Sequence, residues 1–352
     1  MTWLYNSWYQ AGWSDEVSKD QPLIRTILGQ SILFYRCNNG DVAALFDRCP
    51  HRFVPLSAGP ICGDVVTCPY HGLAFGPNGD CVVNPHGPIT STMAVRSFPI
   101  VERHTAIWVW MGDAKAADPA KIPDLSYIDA VPETARFRMH IPSDTNYQLM
   151  IDNIMDLSHA DYVHATSIGG MMTDAKVRSR EEGDKVVIEW TADNITPAPG
   201  FAPMVALDEK ADFWTQVAWQ APGVMVLLNS VVPVGAPRNA SVQALHNMVP
   251  ETETSTHYFM CATRSFALED EAVTAAMRAS AEQAFLQEDK PILQKQQQCM
   301  GTSDFWSLKP VLLSVDAAGV RVRRKLEALI AAEEGREPLR HENRRLQAVS
   351  QT

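Results

Sequence analysis

Two kinds of hydrophobic pattern divide this chain. Up to about residue 115 the apolar positions come in short runs broken by turn formers. Residues 23–28 and 31–35 are separated by Gly29-Gln30, and 42–46 follows the Asn38-Asn39-Gly40 turn, a succession that predicts strands joined by tight connections. Residues 73–75 and 80–83 flank Gly76-Pro77-Asn78-Gly79 as a further hairpin, and 107–111 (IWVWM) is a strongly β-forming stretch. Trp3, Trp8 and Trp13 alternate with polar residues and read as packing aromatics. Asp118-Pro119, Ile122-Pro123 and Val131-Pro132 then mark a linker, assigned to residues 116–140. Beyond it the period changes: 147–164, 270–298 and 316–334 read as helices, and 184–191, 213–219, 224–234, 241–249 and 255–264 as strands. The pattern predicts an α+β fold in two parts, an all-β domain over 1–115 and an α+β domain over 141–335 whose antiparallel sheet is flanked by helices. Residues 336–352 are charged and polar and are expected to form a disordered tail.

A chain of 352 residues is long enough for two such domains, each with a core. No apolar run reaches the 18 or so residues of a membrane span, and the N-terminus lacks a basic region followed by an apolar one, so the expectation is a soluble, cytoplasmic protein without a membrane partner. A formal charge of −11 with no basic patch excludes nucleic acid as a partner. Seven cysteines are too few and too scattered for a disulfide scaffold, and Cys37, Cys62, Cys81, Cys261 and Cys299 read as free thiols.

Chemistry enters with the remaining two cysteines. Cys49 and His51 lie one residue apart, sixteen residues separate them from Cys68, and His71 follows Cys68 after a Pro-Tyr pair, giving C-x-H-x16-C-x2-H. A Rieske centre holds one iron of a [2Fe-2S] cluster with two thiolates and the other with two imidazoles, so each loop must offer one Cys and one His. A structural Cys2His2 zinc site uses the same ligand types but groups Cys with Cys and His with His. The plainest alternative is two buried cysteines and two surface histidines. Pro50, Pro55, Gly59, Pro60, Gly63, Pro69 and Gly72 make both segments loops.

A second candidate lies in the helical stretch 147–164. Asn153, Asp156 and His159 recur every three residues along one side of a helix, and His164 follows five residues after His159. On an unbroken helix that step separates the imidazoles by about 140°, so they converge only where the helix ends or bends. Two metal-bound histidines and a pair of hydrogen-bonded core histidines are both open readings. A carboxylate from the helix 270–298 would complete a metal site. Asp289 sits on the apolar stripe of Met277, Ala281, Phe285 and Ile292, where an unpaired acid is costly. Its rival role is a helix cap before Pro291, and Glu288 is the other carboxylate candidate. Two His and one carboxylate form the facial triad of non-haem Fe(II) oxygenases.

C-x-H-x16-C-x2-H followed downstream by N-x-x-D-x-x-H-x4-H resembles the oxygenase component of the Rieske non-haem iron oxygenases, over most of the chain. Within that family the chain is most similar to the vanillate and dicamba O-demethylase type, sharing NPHG (84–87), VRSFPIVER (95–103), YQLMIDNIMDLSHADYVH (147–164), VPETETSTHYF (249–259) and QEDKPILQKQQ (287–297). The resemblance implies that Cys49, His51, Cys68 and His71 hold the [2Fe-2S] cluster, that His159, His164 and Asp289 hold a mononuclear Fe(II), and that Asp156 joins His71 of a neighbouring subunit to His159 in a head-to-tail homotrimer. Asn153 lies close to the iron, and Asn229 and His246 match positions that hold an aromatic carboxylate. The tryptophan that dicamba-type relatives place nine residues before the iron aspartate is Ser280 here. The implied activity is O2-dependent demethylation of a methoxylated aromatic acid with release of formaldehyde. Electrons come from a separate flavin/iron-sulfur reductase, or a ferredoxin plus reductase, because the chain has no Gly-rich nucleotide fingerprint. Alternatives are a ring-hydroxylating dioxygenase, methyl hydroxylation of an aryl sulfonate or N-methyl substrate, and a Rieske electron carrier with an appended binding domain.

Overall fold

The computed structural model describes residues 3–338, so all but the first three residues of the expected tail lie outside the described residues. The chain divides into two units, residues 5–122 and residues 123 onward together with Trp3 and Leu4.

The N-terminal unit contains three small antiparallel sheets. β1 (Trp8–Trp13), which the sequence pattern did not predict, pairs with β10 (Ala106–Trp110), which in turn pairs with β9 (Ile100–Arg103). β2 (Leu23–Ile27), β3 (Gln30–Arg36) and β4 (Val42–Phe46) form the meander that the Gly and Asn-Gly turns predict. β5 (Ile61–Cys62), β6 (Val65–Thr67), β7 (Ala74–Phe75) and β8 (Cys81–Val83) form the third sheet; the connection from β4 to β5 carries Cys49 and His51, and the turn between β6 and β7 carries Cys68 and His71. Leu33, Tyr35, Leu45, Leu56, Val66 and Phe75 are buried against the cysteines of those turns, which gives the loops a rigid base.

The C-terminal unit is built on one seven-stranded antiparallel sheet in the order β11-β17-β16-β15-β14-β13-β12. After the short helix α1 (Ser126–Asp129), β11 (Arg136–Ser143) lies along the sheet edge, so residues 136–140 belong to this domain and not to a linker. β12 (Lys176–Glu182) was also missed; it is charged and mostly exposed, and an edge strand of that kind carries no apolar alternation. β13 (Lys185–Ile195), β14 (Ala211–Gln220), β15 (Val224–Pro233), β16 (Val242–Pro250) and β17 (Thr256–Arg264) agree with the five predicted strands. Helices cover one face of the sheet and bury Trp190, Phe213, Trp219, Met248 and Tyr258 against it.

Two helical expectations need correction. Residues 147–164 are not one helix: α2 (Tyr147–Met155) stops at Asp156, which leaves helical geometry at φ −130°, and a 3-10 turn (Leu157–His159) leads into the short α3 (Ala160–Val163). Asp156 turns its carboxylate onto the Ser158 N–H at 2.9 Å and so starts the new turn, the local competition that favours Asp at helix starts over helix interiors. Asn153, Asp156 and His159 therefore do not line one helix face. Likewise 270–298 is α4 (Glu271–Glu282), a π-helical segment (Gln283–Asp289) and α5 (Lys290–Met300). Pro291 has no N–H to donate and stands in the first turn of α5, directly after the π segment. The extra residue shifts the register, so Leu293 is buried in place of the expected Ile292, which is exposed. α6 (Ala317–Glu333) packs on α2, β12 and β13.

Candidate active site

The two Cys-His loops are near replicas. In each, the cysteine carbonyl accepts from the N–H four residues on (Phe53 to Cys49 at 3.0 Å, Gly72 to Cys68 at 3.1 Å), and the cysteine N–H donates to the carbonyl five residues on (Val54 at 2.9 Å, Leu73 at 2.8 Å). Closing that turn requires a left-handed residue at the fourth position. Gly72 adopts φ 72° without cost and Phe53 adopts φ 63°. Asp47 anchors the first loop by accepting from the Ser57 N–H at 2.7 Å and its hydroxyl at 2.6 Å. The thiols of Cys49 and Cys68 are buried at the base, while the His51 and His71 rings meet above them with centroids 4.4 Å apart. Burial raises the Cys49 thiol above its ordinary value, and the N–H groups of His51 and Arg52, which point at the sulfur, pull the other way. Two buried sulfurs facing two paired imidazoles fit a [2Fe-2S] cluster with mixed ligands.

In the C-terminal unit α3 ends at His164, which leaves helical geometry at φ −107° and ψ 28°, and the His159 and His164 ring centroids lie 5.2 Å apart. The π segment delivers Asp289 between them. Its Oδ1 lies 3.2 Å from His164 Nε2 and 3.6 Å from His159 Nε2, and one ligand atom from each of the three side chains falls within 4.8 Å of the others. Asp289 caps nothing in the helix, so the cap alternative falls away. It is 4 % exposed and its Oδ2 has no hydrogen-bond partner. A buried, unpartnered carboxylate oxygen beside two imidazole nitrogens is costly unless a cation shares the space, and the donor set fits a 2-His-1-carboxylate iron. Asn153 borders the same point, with Nδ2 3.2 Å from Asp289 Oδ1.

Each imidazole is braced from behind. His159 Nδ1 lies 2.5 Å from the Asp156 carbonyl, and His164 Nδ1 lies 2.6 Å from Glu288 Oε2. Glu288, the other carboxylate candidate, therefore faces the back of His164 and also accepts from Ser167 Oγ at 2.9 Å and Gln283 Nε2 at 3.0 Å. These donors hold its carboxyl below the usual range although burial pushes it up. Ser167 belongs to the loop after α3, which Asp161 organises: its carboxylate accepts from the N–H groups of Gly170, Met171, Met172 and Thr173 at 2.6–3.0 Å. Sequence reasoning missed Asp161 because its partners lie nine to twelve residues away in an irregular segment.

An apolar cavity of about 150 Å³ lies against the π segment, which lines it through Ala284 and Phe285, and Phe137, Ile168, Leu227 and Met260 supply much of the rest of its wall. Asn229 and His246, predicted as substrate contacts, both line it. The Asn229 Oδ1 is buried without a partner. Ser280 lines it as well, close to Gly200, where a Cβ would come within 3.2 Å of the Ser280 hydroxyl. Asp156, Asn153, His159 and Asp289 also border a separate, open cleft of about 420 Å³.

This combination of a β domain with paired Cys-His loops and a helix-covered antiparallel sheet holding a 2-His-1-carboxylate point defines a Rieske-type oxygenase. Residues 7–99 match the Rieske [2Fe-2S] domain and 143–332 the vanillate O-demethylase oxygenase C-terminal domain. The chain is 39 % identical to the oxygenase component of chloroacetanilide N-alkylformylase from Rhizorhabdus wittichii, covering 94 % of this chain and 96 % of that one. It is 38 % identical to the oxygenase component of dicamba O-demethylase from Stenotrophomonas maltophilia, covering 94 % and 98 %. Solved structures of dicamba monooxygenase superimpose closely. One bound to 3,6-dichlorosalicylic acid gives a TM-score of 0.89 at 35 % identity over 96 % of this chain and all of that one, and one with non-heme iron and dicamba gives 0.80 at 33 % over 95 % and 99 %. The chain belongs to the Rieske non-haem iron oxygenases of the vanillate and dicamba O-demethylase type. It is an oxidoreductase whose cofactors are a [2Fe-2S] Rieske cluster and a mononuclear iron. No helix among the described residues is long and apolar enough to cross a membrane.

Proposed function

We propose that this chain is the oxygenase component of a monooxygenase that hydroxylates the methyl carbon of a methoxylated aromatic acid such as vanillate. One atom of O2 enters the methyl group and the other leaves as water, with two electrons supplied from NAD(P)H through a separate reductase. The resulting hemiacetal breaks at its C–O bond to give a phenol and formaldehyde. The observation that carries this reading is the convergence of His159, His164 and Asp289, whose Oδ2 has no hydrogen-bond partner among the described residues, next to a π segment that lines an apolar cavity holding Asn229, His246 and Ser280.

In this reading Cys49, His51, Cys68 and His71 hold the cluster, and His159, His164 and Asp289 hold the mononuclear iron. When bound, that iron supplies the O2-activating chemistry. The remaining work belongs to the chain. Glu288 and the Asp156 carbonyl fix the two imidazoles, and Asn153 fills the space beside them without being a ligand. The aliphatic wall excludes water and seats the ring, while Asn229 and His246 hold the carboxylate so that the methyl carbon faces the metal. Asp156, which borders the open cleft next to His159, receives His71 of a neighbouring subunit in a head-to-tail homotrimer, and electrons cross there. A cytoplasmic setting, where NAD(P)H is available, agrees with the absence of a spanning helix among the described residues.

A second reading, dealkylation of an N-alkyl group on an uncharged aromatic amide, has its own observation. Among the described residues that line the cavity none is Lys or Arg, so none of them neutralises a carboxylate by charge. Screening methoxybenzoates and N-alkyl anilides with a surrogate reductase separates the two: formaldehyde formed in step with loss of a methoxybenzoate supports O-demethylation, and turnover of the anilides alone, to an aldehyde and the dealkylated anilide, supports the second reading and overturns the first. For the metal assignment, Asp289→Ala is expected to lose the mononuclear iron and all turnover while keeping the visible spectrum of the cluster. Full activity in that variant would overturn the assignment.

A further inference from the structure

Tyr258 borders a small void together with Asn153, Phe285 and Asp289, and its hydroxyl lies 2.5 Å from Nδ1 of His246. The sheet sets up this pair. β16 and β17 run antiparallel with His246 opposite Met260 and Met248 opposite Tyr258, so Tyr258 is the diagonal neighbour of His246 on the helix-covered face. Phe285 packs on both rings, at 5.4 Å from His246 and 5.9 Å from Tyr258. His246 is 1 % exposed and Tyr258 3 %, so each polar atom must be satisfied by the other or by whatever occupies the cavity.

Two proton arrangements are possible across this contact. If Nδ1–H donates to the phenol oxygen, the buried phenolic O–H has no acceptor among the described residues, and Nε2 faces the cavity as a bare lone pair. If the phenol donates to Nδ1, both groups are satisfied and the ring proton resides on Nε2. Burial keeps the phenol protonated far above its ordinary value and lowers the His246 imidazole to about 4, so neither group ionises near neutrality.

We infer that Tyr258 is a positioning residue: its hydroxyl donates to His246 Nδ1 and thereby locks His246 as a neutral Nε2–H donor facing the substrate cavity, which selects aromatic ligands bearing an oxygen acceptor. This rests on the reading of that cavity as the substrate pocket. Carboxylate, sulfonate and amide carbonyl oxygens share the required chemistry, and Asn229 supplies a second polar group on the same wall.

The test uses the holoenzyme with both metal centres loaded and three probes: 3-methoxybenzoate, 3-methoxybenzamide and methoxybenzene, which lacks the acceptor. Tyr258→Phe removes one oxygen and keeps the ring packing. It is expected to weaken binding of the benzoate and the benzamide about tenfold and to leave methoxybenzene within twofold. It is also expected to raise KM for formaldehyde release while kcat stays within twofold. In a His246→Gln background, where the amide N–H2 needs no second residue to set its proton, Tyr258→Phe is expected to add nothing. Equal loss for all three probes, or the same loss in the Gln background, assigns Tyr258 a packing role only and overturns the inference. If His246→Phe weakens the acceptor probes but Tyr258→Phe does not, the positioning role falls and the pocket reading stands. If neither acceptor probe binds the parent protein, or His246→Phe changes nothing, the pocket reading itself falls.

Discussion

Asp289 and Glu288 are adjacent in the chain and face different sides of one imidazole. Asp289 Oδ1 meets His164 Nε2, and Glu288 Oε2 meets His164 Nδ1. A carboxylate behind a metal-binding histidine fixes the ring and its tautomer, and losing such a group lowers metal affinity about 10–100-fold. Glu288→Ala is expected to lose the mononuclear iron on dialysis against a chelator at that order. Glu288→Gln, whose carbonyl still accepts from Nδ1, is expected to retain most of it, as read by iron content against the intact cluster spectrum. His246 makes a different prediction. Its imidazole titrates near 4 in the folded chain, against 6.5 when unfolded. Between those values the unfolded chain holds the extra proton, so stability is complete above pH 6.5 and is lost as pH falls toward 4. The loss amounts to on the order of 3 kcal/mol. His246→Phe is expected to remove that slope in denaturant midpoints measured from pH 7 to 4. The Cys49, His51, Cys68 and His71 pattern was legible from spacing, whereas His159 and His164 left two readings open and Asp289 stood beside Glu288 until the resemblance chose it. Tyr258 and Asp161 were not, because their roles depend on strand register and on a loop with no period.

At the scale of elements, two interruptions make the mononuclear site. The helical stretch breaks at Asp156 and ends at His164, where the two imidazoles come together, and the π segment brings Asp289 to meet them. The sequence gives the period of a helix but not its breaks, since a π turn has the same composition as the α-helix around it. Pro291 was the one visible mark of strain, and it read equally well as a cap signal. Deleting the exposed Leu286 is expected to restore an α register between α4 and α5 and to rotate Asp289 away from the imidazoles. Metal analysis is expected to show about two irons per chain in place of about three, with the cluster spectrum unchanged. α6 supports the same region through Arg323, which donates to both Asp152 carboxylate oxygens at 2.6–3.2 Å and to Gln148 Oε1 at 2.9 Å while lying over the Phe305 ring. Arg323→Ala is expected to cost about 2–3 kcal/mol in denaturant unfolding, less than a fully buried pair because Asp152 is partly exposed.

For the whole molecule, the proposed trimer has a direct assay. Chains lacking the cluster through Cys68→Ser and chains lacking the mononuclear iron through Asp289→Ala are each expected to be inactive as homotrimers. Co-expressed, they are expected to recover part of the parental turnover, because an intact cluster on one chain then faces an intact iron site on the next. No recovery in verified mixed trimers would place the electron path within one chain. The two-domain architecture followed from the change of apolar period near residue 115, while residues 136–140 were misplaced because β11 begins straight after a proline-rich stretch. Subunit assembly left no mark in the pattern of the chain and came only from resemblance.

The Asp161 carboxylate binds four consecutive backbone N–H groups, Gly170 to Thr173, in a segment that is neither helix nor strand. Amides in such a loop ordinarily exchange with solvent deuterium almost as fast as in an unfolded peptide. Here all four are expected to exchange slowly and together, at the rate at which one side chain releases its grip. The carboxyl is held below its usual range because the hydrogen bonds from Thr173, Met172 and Gly170 outweigh the effect of burial. Their protection is therefore expected to persist through mildly acidic solution and to collapse as a single step. Four peptide hydrogens therefore report the release of one carboxylate.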